Sequence, residues 1–253
     1  MKRALSPWLA ALLIGTAGCQ SGAPPRGGPG ATGQAAEPSS LSPAPAPVLL
    51  PVPATSARFE LDGELDEEAW TSSARTGPFL GPEGGEARPF SEARFLLRGD
   101  EVMMALYAAD DDIEARVKAH DGPVWLDDSF SVHLTPVSGR DGAPGTTFQI
   151  DVSALGTVSD ARVEGAAKDA RWESALRLGV DRDGTLGDRS DEDEEWVVEA
   201  ALPLAPLGIH AAPGARLGVQ ITRCDTPRAP GSTQRCGATA PGLTLDLSPP
   251  EHP

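Results

Sequence analysis

Past residue 55 the apolar residues come in short runs at alternating spacing, cut apart by Gly, Pro and Asp. The clearest are Ala93 to Leu97, Val102 to Tyr107, Phe130 to Leu134, Thr147 to Val152, Ala175 to Val180, Trp196 to Leu202, Leu217 to Thr222 and Leu243 to Leu247. A side chain that changes face at every residue belongs to a strand, and runs this short cannot build a stable helix. Arg98-Gly99-Asp100 supplies turn chemistry between two of them, and Asp181-Arg182-Asp183-Gly184 follows another. Only Leu65 to Ser72, and Ala205 to Leu207 after Pro203, read as a turn or two of helix. The expectation is an all-β fold, an antiparallel β-sandwich of jelly-roll type with one or two short helices. About 200 residues, 55–253, suffice for one sizeable core and expect one domain.

The residues before this region have a different composition. Lys2 and Arg3 precede an apolar stretch from Leu9 to Ile14, and small residues then lead into Cys19, as bacterial lipoprotein signals end. Residues 1–18 are therefore expected to be a signal peptide, with Cys19 lipidated. The apolar stretch is too short to cross a hydrocarbon core of about 30 Å, which takes about 20 residues. Membrane attachment is thus expected through acyl chains alone, each buried methylene contributing about 0.8 kcal/mol. Gln20 follows the cysteine where a retained inner-membrane lipoprotein carries Asp, so the outer membrane is the expected address. From Gln20 to Ala54, Pro, Gly, Ala and Ser dominate, a composition that cannot offset its ordering entropy and reads as a disordered tether.

Net charge is −16, which argues against nucleic acid and against adhesion to anionic lipid. Of three cysteines, Cys224 and Cys236 remain once Cys19 is acylated, and an exported chain is expected to join them. Closing that loop contributes about 3 kcal/mol in the chain-entropy account. Catalytic signatures are missing: the sequence has no GxSxG elbow, HExxH, phosphate-cradling glycine loop or CxxC. A non-catalytic protein is expected.

Four segments stand out in order: Leu61-Asp62-Gly63-Glu64-Leu65-Asp66-Glu67-Glu68-Ala69-Trp70, then Trp125-Leu126-Asp127-Asp128-Ser129-Phe130-Ser131, then Trp196-Val197-Val198-Glu199-Ala200-Ala201-Leu202-Pro203, and last Pro213-Gly214 through Gln220-Ile221-Thr222-Arg223. Together they resemble the family nine carbohydrate-binding modules and the wider group of domains similar to them, over about Phe59 to Leu247. The resemblance implies a β-sandwich that binds polysaccharide or oligosaccharide, an accessory role beside glycoside hydrolases, and structural calcium in several members. It also implies that Trp125 stacks on a sugar ring. Six residues on, the family carries Glu where this chain has Ser131, which loses a charged two-oxygen acceptor.

Trp125, Asp127, Asp128, Ser131 and Arg223 are the expected ligand contacts, with Trp172 as a candidate second wall. Trp70 and Trp196 lie among apolar residues and are expected in the core. Asp110, Asp111 and Asp112 could supply oxygens for calcium. The leading reading is a tethered, non-catalytic sugar-binding lipoprotein supporting carbohydrate catabolism. Alternatives are an envelope scaffold whose sugar site has decayed, or a haem-binding redox domain using Met103, Met104 and His133.

Overall fold

The computed structural model describes residues 48–137, 145–228 and 231–249. The expected signal peptide, Cys19 and the tether as far as residue 47 lie outside the described residues. In chain order the strands are β1 (Val48–Pro51), β2 (Ala74–Arg75), β3 (Ser91–Arg98), β4 (Glu101–Ala109), β5 (Ser129–Val137), β6 (Thr147–Ser153), β7 (Val158–Glu164), β8 (Ala167–Asp169), β9 (Arg177–Asp183), β10 (Glu195–Pro203), β11 (Arg216–Asp225), β12 (Arg235–Ala238) and β13 (Leu243–Asp246). They form a larger sheet in the order β1-β13-β11-β5-β6-β7-β8, with β12 also pairing β11, and a smaller sheet ordered β2-β3-β4-β10-β9. All pairings between these strands are antiparallel except β1 with β13. The fold is the expected all-β sandwich.

The two sheets differ in how their faces are covered. In β5, Phe130, Val132 and Leu134 are buried against the opposite sheet while Ser131, His133 and Thr135 alternate with them. The larger sheet therefore turns a polar face outward. The smaller sheet is covered on both faces. Phe95, Leu97, Met104, Leu106, Trp196 and Val198 enter the main core. Leu96, Met103, Ala105 and Ala201 of the same strands pack under Trp70, with Phe59, Leu61 and Leu65 around it. Burial on both faces is why β3, β4 and β10 are nearly continuous apolar runs.

The cover over the smaller sheet approaches β9 closely. A Cβ on Gly63, whose φ is +97°, would stand 2.0 Å from the Asp181 backbone nitrogen. One on Gly179 would stand 2.1 Å from the Leu61 carbonyl oxygen. Side chains at both positions would force the layers apart. The helical expectation at Leu65 to Ser72 narrows to a 3-10 turn over Glu68–Ser72, and Ala205–Leu207 is another.

Order begins earlier than the composition suggested. Residues 48–54, assigned above to the tether, hold β1, bury Val52 to 4% exposure and bridge Ala54 to Leu97. Prolines do not prevent this, because the Val48 and Val52 amides donate to Gly242 and Asp246 carbonyls while Pro51 and Pro53 fall at positions of opposite parity. β9 begins two residues after the expected Ala175, which sits at φ 55° and cannot continue a strand. Strands β7, β8 and β12 carry too few apolar residues to have been read from spacing.

Candidate functional site

Trp125 sits in a 3-10 turn, Val124–Leu126, that follows Gly122-Pro123. Its neighbour Val124 is buried, which pins the turn, while Trp125 is 46% exposed and Leu126 63%. The Lys168 ammonium of β8 lies 5.7 Å from the indole centroid. From Lys168 a chain of contacts runs across the outer face of the larger sheet. Lys168 Nζ donates to Gln149 Oε1 at 3.4 Å, Gln149 Nε2 donates to Asp151 Oδ2 at 2.8 Å, and Ser131 Oγ donates to Asp151 Oδ1 at 2.5 Å. β-sheet register places Ser131 between Asp151 and Thr222, and His133 between Gln149 and Gln220. Beside this row, Gln220 and Thr222 line a shallow depression of about 390 Å³ with Leu80, Pro82 and Thr239. An exposed aromatic face next to hydroxyl, amide and ammonium groups suits a ligand with both apolar C–H surface and many hydroxyls.

Ser131 thus remains polar and half-buried, but its hydroxyl is engaged with Asp151. That carboxylate is the one neighbouring anion on its row, and it lies beneath the surface at 1% exposure. Gln149, Asp151, Lys168 and Gln220 were not singled out from sequence. Strand alternation places the first two outward, and only the register of β5, β6 and β11 brings these residues together.

The other expected contacts lie elsewhere. Asp127 is buried and its Oδ2 accepts from the Arg116 and Val117 amides, so it holds a loop instead of a ligand. Asp128 is fully buried, accepting from the Glu114 and Thr226 amides. Arg223, 3% exposed, donates through Nη2 to Asp110 at 2.7 Å and to Asp225 at 3.0 Å. Trp196 Nε1 donates to the same Asp110 carboxylate at 3.1 Å. Arg235 adds a second cation on Asp225 at 2.6 Å. Trp172, the candidate second wall, packs its ring 4.7 Å from Phe148 and donates to the Pro206 carbonyl at 3.2 Å, closing one end of the core.

Asp110, Asp128 and Asp225 present carboxylate oxygens within 4.8 Å of one another, all buried. Burial, and then the nearby Asp110 charge, push Asp128 up to about 8. Burial likewise raises Asp110 against the pull of Arg223. Guanidinium and backbone N–H groups fill this cluster, and Asp112 faces Arg189 and Arg228 while Asp111 is exposed. Arginines thus meet Asp110 and Asp112 while Asp111 is exposed, so the three residues expected for calcium do not gather their carboxylates around one point.

Nor do the haem candidates converge. Met103 and Met104 point to opposite faces of the smaller sheet, and His133 points out of the larger one.

The disulfide Cys224–Cys236 joins facing residues of β11 and β12. It ties the loop carrying Gln234, whose side-chain amide reaches the Trp125 carbonyl at 3.4 Å.

No protein-family model matches the chain, and no curated protein is significantly similar to it in sequence. Solved structures share its fold. One is a protein from Bacteroides uniformis assigned as carbohydrate-binding, with a TM-score of 0.54 and 12% identity, covering 78% of this chain and 97% of that one. A second is a family 9 carbohydrate-binding module from Caldicellulosiruptor kristjanssonii in complex with cellotriose, at TM-score 0.52 and 12% identity, covering 81% and 95%. The family 9 module from that organism in complex with glucose gives 0.51 and 10%, covering 81% and 99%. The fold is that of the family nine modules, as the sequence resemblance implied.

Proposed function

We propose that this protein is a non-catalytic carbohydrate-binding lipoprotein, held at the outer membrane through acylated Cys19 and presenting the outer face of its larger sheet to polysaccharide. The observation that carries the reading is the exposed Trp125 ring beside Lys168 and the Ser131–Asp151–Gln149 row. Its support from outside is a fold shared with modules solved with glucose and cellotriose. A pyranose stacked on the indole would bury apolar C–H surface and take the Lys168 ammonium onto its hydroxyls. The scaffold alternative draws on Ser131, since its hydroxyl donates to Asp151 where the resemblance implies a free carboxylate.

A glycan array followed by calorimetry on cello-oligosaccharides tests the reading. Trp125→Ala should weaken binding by at least thirtyfold, as loss of an aromatic hot spot of about 2 kcal/mol or more does. The melting temperature should hold, because the ring is half-exposed. Lys168→Ala should weaken binding less. Retained binding in Trp125→Ala would place the site elsewhere, and an array with no hit would favour the scaffold.

Attachment has its own test. Cys19→Ala should move the protein from the detergent phase to the soluble fraction, or leave it unprocessed. Fractionation identical to wild type would sink the anchoring.

A further inference from the structure

On the inner side of the larger sheet, away from the Trp125 face, a second group of polar side chains gathers under β7. His120, Asp121 and Asp160 each offer a ligand atom, all within 4.8 Å of one another. His120 Nε2 stands 3.3 Å from Glu173 Oε2 and 3.7 Å from Asp121 Oδ1. His120, Asp160 and Glu173 line an open cavity of about 370 Å³.

Asp160 gives this group its meaning. It is only 3% exposed, the register partner of core residue Ile150, and its Oδ1 has no hydrogen-bond partner. Its Oδ2 is fixed by the Ser174 amide at 2.9 Å, and its own amide donates to Asp121 Oδ1 at 3.2 Å. A buried carboxylate oxygen left without a donor asks for an explanation, and an ion is one. The charges agree. Asp121 and Asp160 share the cluster and Glu173 touches its imidazole, while among the described residues Lys118 is the one Lys or Arg lining the cavity. One divalent cation would neutralise the remainder.

We propose that His120, Asp121, Asp160 and Glu173 form a binding site for a divalent transition cation of the zinc class. Tetrahedral Zn²⁺ with ligand bonds of about 2.0 to 2.2 Å sets its donor atoms about 3.3 to 3.6 Å apart. The spacings of 3.3 and 3.7 Å around His120 Nε2 are close to that before any ion enters. Imidazole in the set selects zinc, cobalt or nickel over calcium, which takes oxygen. The site would tie the 118–121 loop and the 173–176 loop to the edge of the larger sheet, independently of sugar binding.

The test is calorimetric titration of ZnCl₂ into EDTA-treated, tag-free full-length protein, with melting temperature read in parallel. One saturable ion per chain is expected, with a rise in melting temperature. His120→Ala and Asp160→Asn should each weaken Zn²⁺ at least tenfold. Asp160 also holds the Ser174 amide, so the exposed Glu173→Gln serves as the variant that keeps the fold, and it should weaken Zn²⁺ severalfold. Co²⁺ should give visible d–d absorption that His120→Ala abolishes. No saturable Zn²⁺ binding would overturn the proposal, as would affinity unchanged across all three variants. So would Ca²⁺ binding as tightly as Zn²⁺, because the imidazole would then not be a ligand.

Discussion

Arg223→Ala should cost about 3 to 5 kcal/mol, the penalty for stripping the cation from buried carboxylates. For a domain of this size that lowers the melting temperature by about 6 to 20 °C. Arg223 is what allows Asp110 and Asp225 to be buried together beside Asp128, so its loss leaves like charges within 4.8 Å of one another. The deficit should shrink as pH falls, because the uncompensated carboxyls can then take up protons. Wild-type protein carries a milder form of the same dependence. Asp128 is raised to about 8 by burial and Glu199 to about 7, also by burial. An acid whose folded value lies above its unfolded one contributes its stability fully below the unfolded value, and that contribution is lost as pH rises through the folded value. Urea midpoints should therefore fall between about pH 5 and pH 8, by at most about 1.4 kcal/mol per pH unit for each proton, and level off above. An Arg223→Ala protein as stable as wild type, or a wild-type midpoint that rises over that range, would show that the cluster is not what holds the strand ends of β4, β5 and β11 together.

Trp70→Ala should be comparably damaging, at about 3 to 5 kcal/mol. The ring is 1% exposed and is the centre of the cover over the smaller sheet, with Phe59 edge-on at 5.3 Å. Its Nε1 donates to Glu199 Oε1 at 3.0 Å, and the second Glu199 oxygen accepts from the Asp62 amide at 3.3 Å. Removing the indole opens a cavity and leaves a buried carboxylate with fewer donors. Trp70→Phe separates the two effects: it keeps most of the apolar contact and loses the N–H, so about 1 to 3 kcal/mol should remain. Chemical denaturation of the three proteins reads this directly. A Trp70→Ala protein within about 1 kcal/mol of wild type would mean that the cover is dispensable.

These two residues show how the motifs and the site relate. The opening segment and the third one meet at Trp70 and Glu199, while Asp128 of the second, Trp196 of the third and Arg223 of the last surround Asp110 and Asp225. What makes the sequence resemble a sugar-binding family is thus mostly its folding apparatus, two buried polar locks, and only Trp125 among the motif tryptophans reaches solvent. Asp127, Asp128 and Arg223 look from sequence like ligand chemistry because charged residues are seldom buried. Here hydrogen bonds and opposite charge meet their desolvation cost.

The sequence alone pointed to the sandwich, since period-two apolar spacing fixes which side chains can share a face, whereas the burial of β3, β4 and β10 on both faces came only from the structure. Disulfide partners were legible by counting. Burial of Asp127, Asp128 and Arg223, the ordering of Val48 to Ala54 as an edge strand, and the neighbours of Trp125 were not. Lys168, Gln149, Asp151 and Ser131 are brought together by inter-strand register, and His120, Asp160 and Glu173 by a loop folding under a sheet edge. Contacts of that kind depend on which strands lie side by side, and a one-dimensional pattern carries the facing of each side chain without saying what it will face.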